Sequence, residues 1–223
     1  MKRSGLAIFA FLLLILTNLP AQNTKHSLVS GKIVYEINFP VDQQKPQSKE
    51  TMPKEMTLYF KEDFSRSEMS MGTGTMVMIS DFKAKVNYVL MNMAGNKMAV
   101  KSTEAEMNAK KSGVAPKVTV TRETKMIANY SCYKAIVTFT TGKGERSMDV
   151  WFTNQIHAHN SYTNSIDGIS GVMMEFESTE NGRTMKLTAK SVEPMDNIDP
   201  TLFQVPSDYK ILNAADMMKG KRK

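Results

Sequence analysis

Methionine is the residue type whose number and spacing could carry chemistry in this chain. There are 19 methionines among 223 residues. Thioethers can ligate Cu(I), and they also make flexible, polarisable apolar surfaces. Met69-Ser70-Met71-Gly72-Thr73-Gly74-Thr75-Met76-Val77-Met78 reads as two strands around a Gly/Thr loop. Closing that loop sets Met71 opposite Met76 and Met69 opposite Met78, all on one face. With Gly95-Asn96 as a two-residue turn, Met93 faces Met98 and Met91 faces Val100, again on one face. Met69, Met71, Met76, Met78, Met91, Met93 and Met98 are therefore the candidate lining of an apolar cavity. The alternative left open is that they fill an ordinary core. Strand alternation generates Met-x-Met spacing by itself, and no histidine cluster accompanies it, so the Cu(I) reading is the weaker one. No metal and no cofactor is assigned.

The other reactive residue types do not assemble into a catalytic group. Cys132 is the single cysteine, so an internal disulfide is impossible. Its neighbours Tyr130, Ser131 and Tyr133 supply no base, and the Lys134 side chain points to the opposite strand face, so a buried structural thiol is expected. His157 and His159 share a face if extended, but the surrounding Asn160, Ser161, Thr163 and Asn164 lack a third ligand and read as an exposed loop. No nucleophile elbow or paired-carboxylate pattern occurs. Gly72-x-Gly74 and Gly142-x-Gly144 are turns with no helix after them, which excludes a phosphate loop. The reading is a non-enzyme.

The elements that must position these residues are strands. Ile33, Tyr35 and Ile37 alternate with polar neighbours, as do Met56, Leu58 and Phe60, and Tyr133, Ala135, Val137 and Phe139. About ten such period-two runs, separated by short polar turns, predict a meander or barrel-like sheet. Asn181-Gly182 is a strong hairpin signal that pairs Phe176 with Leu187 and Glu177 with Lys186. Gly142-Lys143-Gly144 joins another pair of strands. One helix is predicted, from Glu104 to Lys111, where Thr103 and Glu106 form a capping box and Gly113 can close the far end. Residues 40–53, rich in Gln, Lys, Pro and Ser, read as a long loop.

The N-terminus reads as an export signal. Met1-Lys2-Arg3-Ser4-Gly5 leads into an apolar run, Leu6 to Leu16, and the small-residue exit Leu19-Pro20-Ala21, with cleavage expected after Ala21. That run is shorter than the roughly 20 residues a bilayer requires, so no stable membrane span is expected. The expected organisation is a signal peptide over 1–21, one β domain over 22–211, and a basic flexible tail over 212–223. The formal charge of +7 includes Lys2 and Arg3, which leave with the signal peptide. With a mild charge and no basic stripe interleaved with aromatics, nucleic acid is not an expected partner. A periplasmic, possibly secreted, location is expected.

Four segments in order carry a family resemblance: Gly31-Lys-Ile-Val-Tyr-Glu36, Met126-Ile-Ala-Asn-Tyr-Ser-Cys-Tyr-Lys134, Val150-Trp-Phe-Thr153, and Leu202-Phe-Gln-Val-Pro206 with Tyr209-Lys210. Over roughly residues 30–211, the chain resembles an exported bacterial family of domains of unknown function close to the GLPGLI-type proteins, themselves similar to the LolA/LolB lipoprotein carriers. The resemblance implies a mainly β fold: a strongly curved antiparallel sheet, an unclosed barrel of LolA-like type, whose concave face holds acyl chains beneath a helical lid. The carriers have several lid helices, one of them ahead of the first strand, whereas this chain offers one. The resulting expectation is a binding or carrier module for a lipid, a lipoprotein acyl chain or another apolar ligand. A structural or protein-interaction domain of the cell envelope is the alternative.

Overall fold

The computed structural model describes residues 27–40, 52–72, 74–93, 95–110, 115–142, 144–158, 166–180 and 183–215. Period-two alternation sets its architecture. In β1 (Ser30–Asn38) Ile33, Tyr35 and Ile37 are buried, and the residues between them are partly or fully exposed. Two meanders flank β1. The first runs through β2 (Glu55–Lys61), β3 (Phe64–Ser70), β4 (Gly74–Asp81), β5 (Val86–Met93) and β6 (Asn96–Thr103). The second runs through β7 (Lys117–Ile127), β8 (Tyr130–Thr141), β9 (Gly144–Thr153), β10 (Val172–Glu180) and β11 (Arg183–Pro194). With β12 (Lys210–Asn213) they form a single 12-stranded sheet, ordered β12-β6-β5-β4-β3-β2-β1-β11-β10-β9-β8-β7. The edges β12 and β7 do not pair with each other, so the sheet is unclosed.

Turn chemistry explains the registers. Phe176 pairs with Leu187 and Glu177 with Lys186, as the Asn181-Gly182 signal predicts; the turn residues themselves lie outside the described residues. Lys186 nonetheless reaches diagonally to Glu175 (2.9 Å), while Glu177 meets Arg146 (3.4 Å). Thr140 pairs with Glu145 and Thr141 with Gly144, the two strands expected to be joined by Gly142-Lys143-Gly144. The segment Met126–Lys134 proves to be a hairpin, because Ala128 (φ 48°) and Asn129 (φ 67°) form a two-residue turn with both angles positive. That backbone matches the right-handed twist of the strands it joins. Gly171 has φ +119°, and an added Cβ there would sit 2.1 Å from the Thr153 carbonyl oxygen. Only glycine fits that contact.

The sheet curls on itself. Four inter-strand steps separate β1 from β8, about 19 Å if the sheet were flat. Yet Tyr35 of β1 and Cys132 of β8 belong to one buried cluster, and burial raises the Tyr35 phenol far above its ordinary value. The Tyr35 hydroxyl donates to the Met173 carbonyl (3.1 Å), and its ring meets Phe176 edge-on at 6.1 Å. The inner face encloses the main core, which includes Tyr35, Met56, Leu58, Phe60, Val137 and Leu187. A second core lies on the outer face of β3–β6, where Val77, Ile79, Leu90 and Ala99 are covered by Ile198 and Phe203. The covering segment carries a 3-10 turn at Pro200–Phe203 capped by Asp199. It is held by Arg66, which donates to the Leu202 carbonyl (3.0 Å), and by a Lys97–Asp208 ion pair. This segment brings β12 to the far edge, where it pairs in parallel with β6.

Three expectations are corrected. Strand β12 extends to Asn213, past the expected domain end at 211; residues 216–223 lie outside the described residues, as do the expected signal peptide, most of the expected 40–53 loop and Gly113. The sheet is not antiparallel throughout, because β12 arrives by way of the outer face. Tyr133 is exposed instead of lying on a dry face. Beside it the β7 ladder slips between Val120 and Thr124, opposite Lys134, while the Tyr133 ring stays against buried Phe152 of β9, centroids 6.1 Å apart. The predicted helix is present as α1 (Glu104–Lys110). Its capping box is formed by Glu106 N–H donating to Thr103 Oγ1 (3.3 Å) and Thr103 N–H donating to Glu106 Oε2 (2.8 Å).

Candidate functional site

The methionine hairpins close in registers shifted from the expected ones. In β3–β4, Met69 pairs with Met76 and Ser67 with Met78, and the Met71 N–H donates to the Gly74 carbonyl (2.7 Å). In β5–β6, Met93 pairs with Asn96 and Met91 with Met98. The expected pairs Met71–Met76, Met69–Met78, Met93–Met98 and Met91–Val100 are therefore wrong, each shifted by two residues. Glycine supplies the positive φ at both connections, at Gly72 (58°) and Gly95 (85°). Because side chains alternate with period two, a shift of two leaves every methionine on its predicted face.

The new register produces an arrangement that two separate hairpins did not suggest. Met56, Met69, Met76, Met91 and Met98 are successive cross-strand partners, one each from β2, β3, β4, β5 and β6. Met78 lies one row along, between Ser67 and Val89, and Met71 flanks the row at the β3–β4 turn. The Met93 side chain lies outside the described residues, although its strand position is on this face. Met56 was missed because β2 and β3 join through Glu62-Asp63, a turn without glycine that Glu62 (φ 50°) accommodates.

Exposure grades along this row. Met56 is 0 % exposed and Met69 4 %, Met76 and Met91 are half-buried, and Met98 is 37 % exposed. The inner end is closed core and the outer end is open, because the curled sheet covers its inner face at β1–β3 and leaves it progressively bare toward β6. The outer face of β4–β6 is already covered by the C-terminal segment. Methionine on the inner face is thus offered to whatever enters from that flank. A polar row, Ser65, Ser80, Asn87 and Ser102, crosses β3–β6 four residues along β3 from Met69. There α1 folds over the sheet, with Asn87 Nδ2 donating to the Met107 thioether.

The other candidates stand apart. Cys132 is fully buried, and burial pushes its thiol up to about 11, so it behaves as a structural residue. His157 is exposed, with its N–H donating to the Leu28 carbonyl (2.8 Å); His159 lies outside the described residues. Trp151 sits on a charged ladder, with Lys125 Nζ 4.3 Å from its ring centroid and ion-paired to Glu175 (2.9 Å). Burial favours a raised Glu175 carboxyl, but the hydrogen bonds and charges of Lys125 and Lys186 outweigh it and hold the group below its usual range. No helix among the described residues is long and apolar enough to cross a membrane.

Comparison with known proteins gives a family and a fold. Residues 45–170 match the family described as "Domain of unknown function (DUF4412)". No curated protein matches the chain. Among solved structures it is similar to PNGF-II in two crystal forms, at 17 % and 16 % identity with TM-scores of 0.54 and 0.53. Those matches cover 87 % of this chain but 33 % of PNGF-II, so the chain spans about a third of that protein's length. LprF from Mycobacterium bovis is matched at 10 % identity and a TM-score of 0.35, over 83 % of this chain and 92 % of that one.

Proposed function

This chain belongs to the DUF4412 family, and we propose that it is a non-enzymatic, exported module that binds or carries a lipid-like or other apolar ligand. The observation that carries the proposal is the graded methionine row from buried Met56 to exposed Met98 on the inner face of the unclosed sheet. Flexible thioethers adapt to varied apolar shapes at little cost, which suits a surface that must accept a chain and release it. The sequence resemblance to GLPGLI-type proteins and to the LolA/LolB carriers belongs to this reading, as do the cleaved signal peptide and a periplasmic location.

The test uses the mature protein taken from its native compartment. Organic extraction followed by mass spectrometry should find a co-purifying lipid, the stripped protein should take up N-phenyl-1-naphthylamine, and the mature N-terminus should begin at Gln22. A protein that carries no lipid and ignores the probe overturns the proposal. A second reading, a structural or interaction domain of the envelope, is favoured by the complete burial of Met56 and the near-complete burial of Met69. It predicts no probe uptake and co-purification of a protein partner.

A further inference from the structure

The inner face of β3–β6 is polar at one end and apolar at the other, and the division falls along register rows. Ser65 pairs with Ser80, Ser80 with Asn87 and Asn87 with Ser102, all facing inward like Met69 and Met76. The next row toward the turns is mixed: Ser67, Met78, Val89 and Val100. Beyond it comes the methionine row. From Ser65 to Met71 the strand advances about 20 Å at 3.3 Å per residue, comparable to an extended long-chain acyl tail.

Ser65 supplies the second, independent observation. Its side chain is 0 % exposed, and its Oγ has no hydrogen-bond partner among the described residues. A buried hydroxyl without a partner is costly, and such groups usually mark a place where something else supplies the bond. Ser65 lies in the same row as Asn87, where α1 closes over the sheet through Met107. The row Ser65, Ser80, Asn87 and Ser102 contains no ionisable side chain. A buried carboxylate or phosphate without a cation carries a large desolvation cost, whereas a neutral hydroxyl or carbonyl can both match Ser65 and be buried.

We propose that this face binds a single-chain amphiphile in one orientation: a neutral hydrogen-bonding head against Ser65, in the polar row that α1 covers at Asn87, and a hydrocarbon tail along Met78, Met76 and Met91 toward Met98. The proposal rests on the apolar-ligand reading above and adds the head group, its lack of charge, and the polarity of the site.

Competition against N-phenyl-1-naphthylamine tests it with three probes of equal length: dodecanol, dodecanoate at neutral pH, and dodecane. Dodecanol should bind at least about tenfold tighter than the other two, the worth of one well-formed buried hydrogen bond. Ser65→Ala should remove most of that advantage while leaving dodecane affinity unchanged. The unliganded variant should melt no lower than wild type, because the hydroxyl it loses has no partner to lose. Equal affinity for all three probes, or an unchanged dodecanol preference in Ser65→Ala, overturns the orientation while leaving apolar binding standing. Failure of the wild type to bind any probe overturns both proposals. Independently of any variant, dodecanol carrying a nitroxide at its tail end should broaden the methyl resonances of Met71 and Met98 and spare Met107. The reverse pattern overturns the orientation.

Discussion

Truncating the two ends of the methionine row should separate stability from binding. Met56 is fully buried between its register partners Tyr35 and Met69, both of which are buried too. Met56→Ala leaves a cavity among these buried neighbours, at a cost near the middle of the usual range, about 3–4 kcal/mol. In a domain of this size each kcal/mol lowers the melting temperature by about 2–4 °C, so a drop of roughly 6–16 °C is expected. Met98 is 37 % exposed in the penultimate strand of the sheet. Its truncation removes surface that is already partly wet, so Met98→Ala should cost under about 1 kcal/mol. Binding should respond in the opposite order. Met98→Ala removes apolar contact from the open flank and should weaken N-phenyl-1-naphthylamine severalfold, while Met56→Ala should leave its affinity unchanged at a temperature where both variants are folded. Thermal melts read by circular dichroism and a probe titration measure the two quantities on the same samples. Comparable destabilisation by the two variants would refute the reasoning, because it would mean the row is closed core along its whole length.

Graded peroxide with peptide mapping should oxidise Met71, Met98 and Met126 in the folded protein, with Met56 and Met69 resisting until the domain unfolds. Bound amphiphile should protect Met71 and Met98 but not Met126, which lies on the β7 edge. Native Cys132 should be inert to iodoacetamide at pH 8 and react once denatured, because burial pushes its thiol up to about 11; rapid labelling of the native protein refutes the structural assignment. The Glu175 carboxyl is held below its ordinary value in the folded state, so its contribution to stability is present above the unfolded carboxylate range near pH 4.5 and fades as pH falls through the folded value. Glu175→Gln should therefore be less stable than wild type at pH 7 and converge with it in acid, by chemical denaturation at several pH values; a gap that does not change with pH speaks against the Lys125 and Lys186 pairing.

The sequence by itself determined which residues share a face. Period-two alternation is a local property, so Ile33, Tyr35 and Ile37 were assigned together, and the methionines of both hairpins stayed on one face even when the registers moved by two. Strong turn chemistry was equally legible: Asn181-Gly182 set the Phe176–Leu187 pair, and Thr103 with Glu106 set the start of α1. Turns that place non-glycine residues at positive φ, as at Glu62 and Ala128-Asn129, carried no recognisable local signal, and so Met56 was not joined to the row. Only the tertiary structure decided which part of a face is wet. Curling depends on how twist accumulates over a dozen strands and on what covers each side, and both depend on residues far apart in the chain. Met56 and Met98 are the same residue type in similar strands, yet one is sealed because β1–β3 lie where the curled sheet closes over its own inner face. The other is open because the C-terminal segment covers the opposite side of β6 instead. The polar row that ends at Ser65 was hidden for the same reason, since its members come from four strands and become neighbours only once every hairpin register is fixed.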